Sequence, residues 1–72
     1  MQEHRDKLQI PKEHELIQIH MNSKQKRGID TDTYWYDELD QQGNMINKYI
    51  VYDSTSMHPP FSRTITFDKV EI

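Results

Sequence analysis

The stretch Thr33-Tyr-Trp-Tyr-Asp-Glu-Leu-Asp-Gln-Gln-Gly-Asn-Met-Ile-Asn-Lys-Tyr-Ile-Val-Tyr52 decides how this chain folds. Two runs rich in aromatic and β-branched residues flank a polar break with a single glycine, the pattern of a β-hairpin. A type I turn followed by a bulge places Gln41, Gln42 and Gly43 in the loop, with Gly43 in the left-handed conformation. Strict outward counting then sets Leu39 against Met45, Trp35 against Tyr49 and Thr33 against Val51 on one side. Tyr34 faces Ile50, Tyr36 faces Lys48 and Glu38 faces Ile46 on the other. Both faces carry large apolar or aromatic groups. One helix covers one face of a small sheet, so the second face is left for a partner.

Outward from the hairpin, Pro11 to Gly28 carries the end signals of a helix. Proline suits the first turn, Glu13 and Glu15 suit the positive end of the helix dipole, and Lys24, Lys26 and Arg27 suit the negative end. Gly28 fits a C-terminal cap. Leu16, Ile17, His20 and Met21 fall on one broad side at a period of 3.6. Ile17, Ile19 and Met21 also alternate as a strand would, but the end signals favour a helix over residues 11–27.

On the other side of the hairpin, Asp53 to Pro60 is a loop, because two prolines cannot continue a ladder. Phe61 to Ile72 alternates again, with Ile65 and Phe67 as its core contribution. The expected fold is therefore α+β: one N-terminal helix packed on a three-stranded antiparallel β-meander, in the order α-β-β-β. Residues 1–10 are expected to form a flexible N-terminal segment and residues 11–72 one small domain.

At 72 residues the chain is near the lower limit for folding on its own core, and without cysteine no disulfide can staple it. No segment has the apolar run of a signal peptide or a membrane span, so the expected setting is cytoplasmic, with no membrane partner. The net charge of −3 is unevenly spread. Residues 1–28 are net basic, residues 29–53 are strongly acidic with Lys48 their only cation, and residues 54–72 balance.

Candidate chemistry is sparse. Asp53, Ser54, Thr55, Ser56 and His58 share one loop, but triad members converge from separate rigid elements, and these residue types are the ordinary furniture of a turn. No catalytic residue is assigned and no enzyme is expected. His14 and His20 do not stand together on one helix face, and Asp30-Thr31-Asp32 lacks the glycine and distal glutamate of a calcium loop. No metal, cofactor or small-molecule substrate is therefore expected. The expected function is protein–protein interaction, as a homodimer or as an acidic inhibitor or accessory protein. Its surface would be an aromatic and acidic sheet face of Tyr34, Tyr36, Glu38, Lys48, Ile50 and Tyr52. The alternative is a nucleic-acid-binding regulator that uses Lys24, Lys26 and Arg27 with the sheet aromatics. Against it stand Asp32, Asp37, Glu38 and Asp53 on the same strands, which would repel phosphates.

Overall fold

The computed structural model describes residues 2–70. Met1, and Glu71 and Ile72 at the end of the last expected strand, lie outside the described residues. A short helix α1 (Gln2–Leu8) precedes four strands, β1 (Glu15–Lys26), β2 (Ile29–Leu39), β3 (Met45–Ser56) and β4 (Arg63–Val70). The strands form one antiparallel sheet in sequence order. The class is α+β and the sheet is a meander, but it has four strands where three were expected.

The difference lies in residues 11–27. Residues 15–26 of this span form strand β1, not a helix, and almost every residue of that strand is exposed. A solvated edge strand shows little alternation of burial, so the helix end signals at Pro11, Glu13, Glu15 and Lys24 to Gly28 outweigh the Ile17/Ile19 alternation on paper. Gly28 is not a helix cap. Arg27 (φ 52°) and Gly28 (φ 76°) form the two-residue turn between paired Lys26 and Ile29. Two positive φ angles make it type I′, whose twist matches that of a hairpin. A basic residue followed by glycine serves a helix end and this turn equally well.

The helix comes earlier, within the segment expected to be flexible. Its end is a Schellman motif: Ile10 N–H donates to the Arg5 carbonyl, Gln9 N–H donates to the Asp6 carbonyl, and Gln9 sits at φ 57°. Ile10 then packs against the core of Leu8, Tyr34, Tyr36, Tyr49 and Val51, as Leu16 and Ile65 do.

The hairpin loop is where the sequence puts it. Gly43 has φ 84°, its N–H donates to the Asp40 carbonyl, and Asp40 Oδ1 accepts from the Gln42 and Asn44 amides. Leu39 does face Met45, but the next pair is Glu38 with Asn47, so Ile46 is an extra residue on β3. Beyond this bulge the expected register is off by one. Trp35 faces Ile50, Tyr36 faces Tyr49, Tyr34 faces Val51 and Thr33 faces Tyr52. One residue of slip exchanges faces along one strand relative to the other. Three tyrosines thereby meet on the side that α1 covers.

Candidate binding surface

The covered face is closed by polar ties. His4 is fully buried, with its ring against Tyr34 and Tyr36 at centroid distances of 4.7 and 5.6 Å. Its Nδ1 lies 2.5 Å from the Tyr36 hydroxyl and its Nε2 lies 3.4 Å from Asp53 Oδ2. With the proton on Nε2, facing the carboxylate, Nδ1 accepts from the hydroxyl and both nitrogens are satisfied. Asp53 also accepts from Arg63, which reaches Glu3 of the helix at 2.7 Å. A second tie joins His14 Nδ1 to Glu38 Oε2 at 2.6 Å, while Glu38 Oε1 accepts from Tyr49 and Asn47.

These contacts shift the proton equilibria of the groups they join. The Arg63 guanidinium, against the cost of partial burial, holds the Asp53 carboxyl below its ordinary range. Burial alone would raise Glu38, but the hydrogen bonds from His14, Tyr49 and Asn47 outweigh it and bring Glu38 down. Burial, with Tyr34 and Asp53 nearby, pushes Tyr36 up to about 12, and burial with Glu38 does the same to Tyr49. The Tyr36–His4–Asp53 chain has the residue types of a proton relay. It is sealed from solvent, and its geometric effect is to fasten the helix to the sheet.

The expected partner-binding set is therefore divided. Tyr34, Tyr36 and Glu38 are buried at 6%, 2% and 3% exposure, so they cannot meet a partner while α1 is in place. Lys48, Ile50 and Tyr52 lie on the opposite, open face with Trp35, and all four are half-buried. The expected core face and the expected exposed face are thus exchanged along β2, for the reason the bulge supplies. Among the described residues, no element packs over the open face.

No protein-family model, curated protein or solved structure matches this chain.

The open face has a basic end. Lys24, Lys26 and Arg27 come together with Ile29, Thr31, Thr33 and Tyr52 around a shallow groove of about 550 Å³. The basic cluster and Tyr52, taken from separate expected sites, are neighbours here because β1 is a strand. None of the carboxylates that argued against an anionic ligand lines the groove. Asp53 and Glu38 are tied up on the covered face, Asp32 accepts from Ser23 at 2.7 Å, and Asp37 is paired with Lys48 at 3.0 Å. His20, missed as a surface element, packs its ring against Trp35 at 4.8 Å. That neighbour is legible only once residues 15–26 are placed on a strand. No cluster of potential metal ligands occurs among the described residues. No helix there is long and apolar enough to cross a membrane.

Proposed function

We propose that the protein is a non-enzymatic binding module that engages another protein through its open sheet face. The observation that carries this reading is the placement of Trp35, Ile50 and Tyr52 together on a face that no described element covers. Aromatic and aliphatic side chains with a paired charge beside them, here Lys48 with Asp37, are the usual make-up of an interface centre. The Tyr36–His4–Asp53 relay is enclosed, and the Glu38 carboxylate of the second tie is taken up by His14, Tyr49 and Asn47, which supports binding over catalysis. The lack of cysteine suits a reducing, cytoplasmic setting.

The test is affinity capture with the immobilised chain, followed by return of the purified captured protein. Binding should move the emission of Trp35, the sole tryptophan, to shorter wavelength as water leaves the face. Ile50→Asp and Tyr52→Ser, each shown to be folded by circular dichroism, should lose the capture. Undiminished capture by both folded variants would place the interface elsewhere.

A further inference from the structure

We infer that the groove at the basic end of the open face takes an acidic, aliphatic peptide segment of the partner, an inference that rests on the open-face reading above. Three cations stand at its rim within one hairpin, Lys24 and Lys26 near the end of β1 and Arg27 in the turn. Both lysines and Arg27 are exposed. Long cationic side chains keep their charge in water and lay their methylene stems along apolar surface. The space between these stems is bounded by Ile29, which is 47% exposed, and by the half-buried Tyr52 ring. Thr31 and Thr33 complete the lining, the Thr31 hydroxyl being taken up by Ser54 at 3.1 Å. Such a groove matches carboxylates at its rim and small aliphatic side chains at its floor.

A single nucleic-acid strand also carries negative charge, but the face is poorly built for it. Strand binders present several ring faces on which successive bases stack. Among the described residues Tyr52 is the only ring lining the groove, and the Trp35 indole packs beside it against His20. Asp68 stands opposite Ile50 on the neighbouring strand of the same face, in the path a phosphate chain would follow across the sheet. A peptide needs only the groove itself, and its carboxylates can be spaced to avoid Asp68.

The probe is a fluorescein-labelled synthetic peptide of about ten residues with alternating glutamate and leucine, titrated against the full chain by anisotropy. Its companions are the same peptide with glutamine for glutamate and an oligothymidylate of similar length. The glutamate peptide should bind, should weaken as salt is added, and should lose roughly tenfold in affinity with Lys24→Glu/Lys26→Glu. Ile29→Ser should weaken it several-fold without altering the circular dichroism. Equal binding of the glutamine peptide, tighter binding of the oligothymidylate, or no binding of the glutamate peptide would overturn the inference. So would a doubled mass by light scattering that Lys24→Glu/Lys26→Glu abolishes, since the groove would then hold a second copy. The two readings fail separately. Capture that is lost with Ile50→Asp but survives Lys24→Glu/Lys26→Glu sinks the acidic segment and leaves the open face. Capture that survives Ile50→Asp and Tyr52→Ser sinks the open face itself.

Discussion

Tyr36 is almost wholly withdrawn from solvent while its neighbour Trp35 stays partly exposed, and that contrast fixes what each contributes. Tyr36→Ala removes a large core ring and should cost about 3–5 kcal/mol, enough to unfold a domain of this size. Tyr36→Phe keeps the ring but leaves buried His4 without its hydroxyl partner, at about 1–3 kcal/mol. Trp35→Ala should leave the chain folded. Urea titrations of the three variants check the order, and a Trp35→Ala chain that unfolds while Tyr36→Ala survives would reverse the assignment of faces. The two glycines offer a second comparison. Gly43→Ala meets open space, so only its positive φ opposes it, at about 1 kcal/mol. Gly28→Ala has the same backbone strain and also drives its methyl into the His58 ring. It should be the more destabilising, and adding His58→Ala should remove the excess, as a double-mutant cycle would read. Gly43 was legible in the sequence because a lone glycine between two strand-like runs has one natural use. Gly28 was not, because a helix cap and a type I′ turn ask for the same residue.

At the scale of elements, α1 and β1 depend on context that their own sequences barely express. A helix of seven residues is far below the length that holds in water by itself, so it persists through what it packs on. Its buried residues, His4 and Leu8, have the four-residue spacing of a helical face, but two positions in a polar segment are a faint signal. Strand β1 is the reverse case. It has strong end signals for a helix, and the fact that decides it, a partner strand along its whole length, lies outside its own sequence. The β3 bulge at Ile46 is equally silent, and missing it moved every later pair by one. The helix end offers a test of this dependence. Gln9 occupies a left-handed position that favours glycine, so Gln9→Gly should stabilise the fold by about 1 kcal/mol, read as a raised melting temperature. A fall instead would mean that the Schellman turn is not what holds Ile10 against the core.

For the whole molecule, charge is sorted by face: the buried carboxylates secure the helix side and the groove cations stand on the open side. The sorting makes stability depend on pH at both extremes. Asp53 and Glu38 have folded-state values below their unfolded ones, so the folded form binds fewer protons than the unfolded form in acid. Their stabilisation is complete above the unfolded carboxylate range, about 4, and is lost as pH falls through the depressed values. Tyr36 and Tyr49 are shifted the other way, to about 12. The folded form keeps their protons longer than the unfolded form, so their contribution is complete below the ordinary tyrosine value of about 10 and disappears between there and about 12. Through these four groups the melting temperature should therefore fall in acid and fall again in strong base. Asp53→Asn should flatten the acid limb, because the variant has one fewer depressed carboxylate to protonate. Tyr49→Phe should likewise flatten the basic limb and reduce the phenolate absorbance that appears only as the fold is lost. An acid limb unchanged in Asp53→Asn would show that the Arg63–Asp53–His4 tie contributes nothing to holding α1 on the sheet.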